Sequence, residues 1–224
     1  MSSGTREGWE PAAAPVEEEA ARAVAAWVAA GCGLFGGDGF DFRGADFSGG
    51  DFSEAGLLGA NLAGVSLVGA DLYRADMQGA DLSGADLTGA CLVRTNLDEA
   101  VLAGAKLDGA DLTAASLYGV DARGASCRGT EFRGAALLEV DLRGADLAGA
   151  TVLENSFKVR VDGSTVLTGL TGSVFGPVRL VGEDGTETEL AGLELQRWFT
   201  GRGLQVTVLA PGGRPLGAGD GPSA

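Results

Sequence analysis

Apolar residues occupy every fifth position over more than half of this chain. The series begins at Phe42 and ends at Phe157, and all twenty-four of its members are apolar. The residue two positions before each member is typically small, and it is Ala in sixteen copies. A period of five matches neither the 3.6-residue repeat of a helix nor the two-residue repeat of a flat strand. The chain therefore carries a tandem repeat with a geometry of its own.

Each copy of the repeat reads small, polar, apolar, variable, small, as in ADLSG at residues 80–84. Two inward positions separated by one outward position describe a single extended step of strand. The Gly or other small residue that follows permits a sharp bend. Four such steps would close one coil of twenty residues, and stacked coils would form a solenoid. The period alone also permits other numbers of steps per coil.

Tandem copies of the form A(D/N)LXX are the hallmark of the pentapeptide repeat proteins, and residues 40–159 resemble that family. The resemblance implies an all-β fold, a right-handed four-sided parallel β-helix of about six coils. With stacked strands about 4.8 Å apart, the rod would be roughly 29 Å long. Ala122 and Cys127 are consecutive small residues in the central apolar series, so we expect a thinner core beside them.

Composition changes on both sides of the repeat. Residues 16–30 carry apolar side chains at helical spacing and acids in the first turn, which predicts a helix that caps the first coil. After the repeat, the pattern predicts strands at 178–181 and 186–190, a helix at 193–200 and a strand at 204–209. The chain is thus divided into a disordered N-terminus (1–15), a capping helix with its linker (16–39), the β-helix (40–172), a small C-terminal α+β module (173–210) and a flexible tail (211–224).

The chain is strongly acidic, with 31 acidic and 16 basic residues and a net charge of −15. Direct binding to nucleic acid requires clustered Lys and Arg, so we expect no nucleic-acid ligand. No apolar run of about twenty residues and no secretory signal are visible, which predicts a cytoplasmic protein without a membrane partner. The three cysteines are too widely spaced to indicate a disulfide framework or a metal motif.

The sequence offers no candidate for catalysis. It contains no His, the commonest general base and metal ligand. The Gly-rich segment 36–39 lacks the Lys and the strand–loop–helix context of a phosphate loop. No nucleophile has a recognisable partner base. We therefore expect no enzyme, and we predict no catalytic residue, no cofactor and no metal site.

Four copies per coil would stack residues twenty apart into outward columns, one on each face. A row of carboxylates on a straight rod resembles the phosphates of a duplex and would fit a basic DNA-binding groove. Arginines dilute this charge on the first face (Arg43, Arg123 and Arg143) and on the third (Arg74, Arg94 and Arg133). The candidate partner-binding residues are Asp51, Asp71, Asp111 and Glu131 on the third face, Asp81, Asp121 and Asp141 on the first, and the exposed aromatics Tyr73 and Tyr118.

The family includes DNA-mimicking proteins that bind DNA gyrase and confer antibiotic resistance. This chain resembles them in its repeat, its acidity and its uninterrupted rod, which implies a protein partner, with DNA gyrase or another type II topoisomerase as the candidate. It lacks the loop insertion that some of those members use. The alternative is a scaffold or adaptor for a different partner, bound through Tyr73, Tyr118 and the Leu residues near them. The acidic columns are also compatible with a solubilising coat, and the C-terminal module with a homodimer.

Overall fold

The computed structural model describes residues 8–31, 33–210 and 213–216. Its regular elements, numbered in chain order, are α1 (Glu18–Ala30), β1 (Ala136–Asp141), β2 (Thr151–Asp162), β3 (Thr171–Phe175), β4 (Val178–Val181), β5 (Glu187–Leu190), α2 (Gly192–Gly201) and β6 (Gln205–Val208). Between α1 and β1 the chain forms a long series of isolated parallel bridges. These bridges build the first coils of the fold.

The bridges join residues twenty apart, so each coil contains four pentapeptides. Asp41 pairs with Asn61, Asn61 with Asp81 and Asp81 with Val101, always in parallel. The central residue of each pentapeptide and the residue two positions later donate their N–H groups to the next coil. Leu82 N, for example, lies 2.7 Å from the carbonyl oxygen of Val101. The four-sided, right-handed β-helix expected from the repeat is confirmed.

The two inward columns of the repeat form a continuous core. Leu82 and Ala80 have no exposed surface, and the same holds throughout the middle coils. The fifth residue of each copy turns the corner in a left-handed conformation, as at Gly84 with a φ of 64°. Gly has no Cβ and reaches this conformation at little cost. The largest residue in the small inward column is Phe40, in the first coil, and Val65, Val120, Val140 and Asn155 are also larger than Ala.

Polar residues in the small inward column are buried and hydrogen-bonded, except that Oδ1 of Asn155 has no partner among the described residues. The hydroxyl groups of Thr95 and Thr130 donate to the carbonyl oxygens of Leu72 and Leu107, at 2.8 and 2.7 Å. The amide nitrogen of Asn155 donates to two backbone carbonyl groups of the coil below. Burial of a hydroxyl or an amide is tolerated when a hydrogen bond replaces the lost water.

An aromatic cluster seals the first coil. Trp27 of α1 stacks on Phe52 with ring centroids 5.2 Å apart, and its indole nitrogen donates to the carbonyl oxygen of Gly33 at 3.0 Å. Helix α1 ends at Gly31, which adopts the left-handed conformation. The helix thus covers the open end of the β-helix, where unpaired strand edges would otherwise be exposed.

The N-terminal segment differs from the disorder expected for residues 1–15. Trp9 packs edge-on against Trp27 and Phe52, and Ala13 forms an antiparallel bridge with Asp46. The burial of a large aromatic ring, together with backbone hydrogen bonds to the first coil, offsets the loss of chain entropy. Residues 1–7, which also belong to that predicted segment, lie outside the described residues.

The C-terminal elements match the predicted hairpin, helix and strand within two residues at each end. They continue the sheet of the β-helix, whose strands run in the order β5–β4–β2–β3–β6, with β1 beside β2. Strand β4 lies parallel to β2, β6 lies parallel to β3, and β5 returns antiparallel along β4. Most of the predicted tail at 211–224 lies outside the described residues.

The thinner core beside Ala122 and Cys127 is confirmed. A small apolar cavity of about 10 Å³ is enclosed there by central residues of neighbouring coils, among them Leu102, Leu117 and Leu142. A cavity of this size without polar walls does not hold an ordered water. No helix among the described residues is long and apolar enough to cross a membrane.

Candidate protein-binding faces

The outward columns lie where the twenty-residue coil places them. On the third face, Asp51 pairs with Asp71, Asp71 with Cys91, Cys91 with Asp111, and Asp111 with Glu131. On the first face, Asp81, Asp121 and Asp141 belong to one column that also contains Val101. Tyr73 stands on the third face and Tyr118 on the fourth. The structure therefore brings the four third-face acids and Tyr73 onto one face, and it places Asp81, Asp121, Asp141 and Tyr118 on other faces.

Most of the column acids also stabilise the turn that follows them. One carboxylate oxygen accepts the N–H of the residue two positions later, at 3.0 Å in Asp71 and 2.9 Å in Asp111. Asn61 and Asn96 make the same contact with their amide oxygens, at 3.2 and 3.1 Å. Asp and Asn side chains commonly cap turns in this way. The hydrogen bond within the turn therefore explains why Asp or Asn occupies this position, independently of any role of the column in binding a partner.

The acids of the first face are largely neutralised by arginines of their own turn. Asp121 and Arg123 form a two-pronged ion pair with a closest approach of 2.6 Å, and Asp141 and Arg143 do the same. A third such pair, Asp41 with Arg43, lies at the start of the rod. The hydrogen bond from the Arg123 side chain lowers the pKa of Asp121. Among the predicted first-face acids, only Asp81 stands without an ion pair in the described residues.

The third-face acids are not neutralised in this way. Within residues 8–31, 33–210 and 213–216, no Lys or Arg nitrogen lies within 4 Å of a carboxylate oxygen of Asp51, Asp71, Asp111 or Glu131. Arg74, which shares the face, contacts Glu54 at 3.5 Å instead. Arg74 and Arg94 occupy the corner position, three residues after the column, while the first-face arginines follow their acids by two. Arg133 follows Glu131 by two as well, but it forms no ion pair in the described residues, so this spacing favours a pair without deciding it.

The third face is also unusual at its corners. Seven described residues other than Gly have a positive φ, and five of them are third-face corners: Glu54, Arg74, Arg94, Ala114 and Glu154. Their φ values lie between 58° and 60°, a region that costs roughly 1–2 kcal/mol for a residue with a Cβ. The first and second faces use Gly at this position throughout the repeat. The third face therefore carries side chains at a conformational cost that these other faces avoid.

Within residues 40–159, three of the four exposed large apolar residues lie on the fourth face. Tyr118 is 50% exposed and Leu138, its neighbour in the next coil, is 37% exposed. Leu58 is 47% exposed and lies in the same column three coils from Tyr118. Tyr73, predicted as a partner to this patch, is only half-buried on the adjacent third face. The apolar surface is thus concentrated near Tyr118 and Leu138.

The described cysteines are poor nucleophiles. Cys127 points inward, and its complete burial raises the pKa of the thiol to about 12. Cys91 points outward on the third face, where partial burial raises its pKa and the nearby Asp71 adds to the effect. Only the thiolate reacts, so the raised pKa values make both thiols weaker nucleophiles than an exposed cysteine. Cys32 lies outside the described residues.

A model of the family described as pentapeptide repeats matches the chain with eight copies, at residues 41–79, 80–119 and 115–151. The repeat region of this chain belongs to the pentapeptide repeat family. This assignment agrees with the coil geometry, because the family's repeat unit is the five-residue step that builds the rod. No curated protein matches the sequence significantly.

Solved structures of the same family are similar to parts of the chain. A pentapeptide repeat protein of the Arabidopsis thaliana thylakoid lumen is 37% identical over 42% of this chain and 66% of its own, with a TM-score of 0.41. The protein Rfr23 of the cyanobacterium Cyanothece 51142 is 35% identical over 41% of this chain and 63% of its own, with a TM-score of 0.40. The chain thus spans less than two thirds of either protein.

A third similar structure is QnrB1, described as a plasmid-mediated fluoroquinolone resistance protein. It is 18% identical over 63% of this chain and 71% of its own, with a TM-score of 0.38. The low sequence identity and the low TM-score are consistent with a shared repeat. They carry no argument about the function of this chain.

Proposed function

We propose that this protein is a non-catalytic, protein-binding rod whose third face occupies the basic nucleic-acid groove of a DNA-binding enzyme. The observation that supports the proposal is the column of Asp51, Asp71, Asp111 and Glu131, whose carboxylates have no Lys or Arg nitrogen within 4 Å in the described residues. DNA gyrase or another type II topoisomerase is the first candidate partner, because acidic members of the pentapeptide repeat family bind that enzyme. Antibiotic resistance would be one consequence of such binding.

The dimensions of the column suit this role. Asp51 and Glu131 are separated by four coils, or roughly 19 Å at about 4.8 Å per coil. One strand of duplex DNA presents a phosphate about every 3.4 Å of rise, so a similar length contains about six phosphates. A groove that tracks such a strand with Lys and Arg would meet a negative charge along most of this distance. The strained corner residues of the same face support a binding role, since such strain persists where function maintains it.

The decisive experiment neutralises the third face without disturbing its turns. Asn at the column position keeps the turn hydrogen bond, as Asn61 and Asn96 do, so Asp→Asn removes charge alone. The test variant is Asp51→Asn, Asp71→Asn and Asp111→Asn together. The matched control, Asp46→Asn, Asp76→Asn and Asp81→Asn together, removes the same charge from the other three faces.

The assay is DNA supercoiling by purified gyrase, titrated with each protein with and without a fluoroquinolone. The proposal expects the native protein to inhibit supercoiling or to protect gyrase from the drug at low salt, and to lose the effect at higher salt. The third-face variant should lose it and the control should keep it. An equal loss in both variants would assign the effect to net charge rather than to this face. No effect of the native protein would exclude gyrase as the partner.

The apolar patch on the fourth face favours a second candidate, an adaptor for a different protein. Tyr118 and Leu138 stack in adjacent coils and expose enough surface to anchor a contact. The binding of such an adaptor to its partner would depend little on salt. Tyr118→Ser would weaken this binding, and the third-face variant would leave it unchanged. Pull-down with native protein and with these two variants distinguishes the two candidates.

A further inference from the structure

The last coil of the β-helix is missing one of its four sides. Strand β4 continues the stack beyond β2, and strand β6 continues it beyond β3. Between them, the chain leaves the coil at Val181, forms β5 and α2, and re-enters at Gln205. No described strand covers the second-face segment 165–169. This segment is the terminal edge of the second face.

The uncovered segment presents an unused strand edge. In the coil below, Leu147 and Gly149 donate their N–H groups to the carbonyl oxygens of Val166 and Thr168, both at 2.8 Å. The equivalent donors one coil later are Leu167 and Gly169, and neither has an acceptor in the described residues. The carbonyl oxygen of Thr165, which corresponds to the acceptor Ala145, likewise has no donor there. Two donors and one acceptor therefore remain, in the spacing of a parallel ladder.

A cleft of about 450 Å³ lies over this edge. Leu180 and Val181 form one wall, Gly203 and Leu204 form the other, and α2 contributes Trp198. Leu167, Leu180, Trp198 and Leu204 are apolar side chains that are only partly buried. Arg202 lies at the cleft, with its guanidinium 4.2 Å from the centre of the Trp198 ring.

We propose that this cleft, which we name the terminal slot, binds an extended peptide segment of a partner protein as the missing side of the coil. The peptide would lie parallel to residues 165–169. One of its residues would donate its N–H to the carbonyl oxygen of Thr165, and the carbonyl oxygen of that same residue would accept the N–H of Leu167. The carbonyl oxygen of the residue two positions later would accept the N–H of Gly169. The side chain between them would point inward onto Leu167, Leu180 and Leu204.

The lining of the slot specifies the chemistry of the peptide. The inward residue must be apolar, because it covers partly buried apolar side chains. The residue two positions before it must be small, because it turns into the coil as the Ala column does. An inorganic anion would leave the Thr165 carbonyl group without a donor, so the edge favours a backbone, which supplies donors and acceptors in alternation. The chain's own residues 217–224, GAGDGPSA, contain no large apolar side chain and do not meet this requirement.

The test uses the full chain and a capped heptapeptide, GADLAGA, which copies residues 144–150 of the coil below. Backbone amide exchange is measured residue by residue with and without the peptide. Leu167 and Gly169 should exchange rapidly in the free protein and be slowed roughly tenfold or more by the peptide, while Leu147 and Gly149 should exchange slowly throughout. Slow exchange of Leu167 and Gly169 in the free protein would overturn the proposal, because the chain's tail or a second copy would then already cover the edge.

Two controls separate strand addition from non-specific contact. A peptide N-methylated at its aspartate cannot donate to Thr165 and should bind at least about tenfold more weakly. Leu204→Ser, in the slot wall, should weaken binding to a similar degree, whereas Leu193→Ser, at an exposed position of α2, should not. Equal binding of the methylated peptide, or no binding at about 1 mM native peptide, would refute the proposal.

Discussion

At the scale of the residue, the corner position decides how much the backbone is strained. Gly occupies most corners, but Ala114 holds the same left-handed conformation with a φ of 58°. A Cβ in this region clashes with the adjacent carbonyl group, while Gly gains flexibility in the unfolded chain. The balance between the strain of a Cβ and the chain entropy of Gly can be measured directly, because equivalent corners differ only in their side chains.

We expect Ala114→Gly to raise the free energy of unfolding by about 0.5–1 kcal/mol, because relief of strain exceeds the added entropy of the unfolded chain. The reverse change, Gly109→Ala, introduces a Cβ with no atom within 4 Å and should lower stability by a similar amount. Urea unfolding of the two variants and the native protein measures both effects. Stabilisation by Gly109→Ala would show that the corner strain is negligible.

The ion pairs of the first face predict a loss of stability in acid. The hydrogen bond from Arg123 lowers the pKa of Asp121 in the folded protein, and that from Arg43 does the same for Asp41. A carboxyl group with a lowered folded pKa stabilises the fold above its unfolded pKa of about 3.9. This contribution is lost as the pH falls through the folded value.

Unfolding midpoints should therefore decrease below about pH 4, and Asp121→Asn should flatten part of this decrease. Asp111→Asn, at a third-face position without an ion pair, serves as the control and should leave the pH profile closer to that of the native protein. A profile for Asp121→Asn identical to that of the native protein would show that the pair contributes nothing measurable in solution.

At the scale of the element, the coil is stable because its inward columns are filled. Leu87 is completely buried, and every neighbouring coil presents a similar side chain to it. Leu87→Ala should lower the free energy of unfolding by about 2–5 kcal/mol, through lost burial and the cavity left behind. Chemical denaturation measures the change. A loss below about 1 kcal/mol would indicate that the coils collapse around the gap.

The cavity beside Ala122 offers the opposite experiment. Ala122→Val adds two carbon atoms beside an empty apolar space and should raise the free energy of unfolding by about 0.5–2 kcal/mol. Ala85→Val, at a fully buried position with no such cavity, is the control and should be destabilising, because added volume overpacks a filled core. Destabilisation by both changes to the same extent would mean that the cavity cannot accept a methyl group.

At the scale of the whole molecule, the two ends of the rod differ. Helix α1 and the aromatic cluster close the first coil, whereas the last coil leaves the terminal slot uncovered by any described strand. Exposed strand edges attract other strands. The closed end therefore protects the molecule from end-to-end association, and the open side is where a peptide can be added.

Trp27→Ala should expose the aromatic cluster and weaken the cover of the first coil. We expect a loss of about 3–5 kcal/mol in stability, together with concentration-dependent association. Thermal unfolding and light scattering after size exclusion measure the two effects. Val28→Ala, on the same helix but only partly buried, is the control, and similar behaviour of both variants would show that Trp27 has no special role in closing the end.

Much of this molecule follows from the sequence alone. A five-residue repeat specifies its own strand step, corner and inward columns through local contacts, so the β-helix and its buried Leu and Ala columns were predictable. The two helices and the strands β4, β5 and β6 were predicted from their own patterns, whereas β3 was not. The outward columns were predictable too, because residues twenty apart must stack once four copies close a coil. The packing of Trp9 was not, since it depends on contacts with Trp27 and Phe52, which are distant along the chain.

Only the tertiary structure decided which charges remain free and where the coil is incomplete. Arg123, two residues after its acid, folds back onto Asp121, whereas Arg74, at a corner, contacts Glu54 of the preceding coil. The terminal slot exists because the chain turns away from the coil after Val181 and returns at Gln205. The composition of residues 173–210 is equally compatible with a separate module, so the sequence did not reveal the slot. Local periodicity determines how one coil is built, but long-range pairing determines which surfaces the finished rod leaves open.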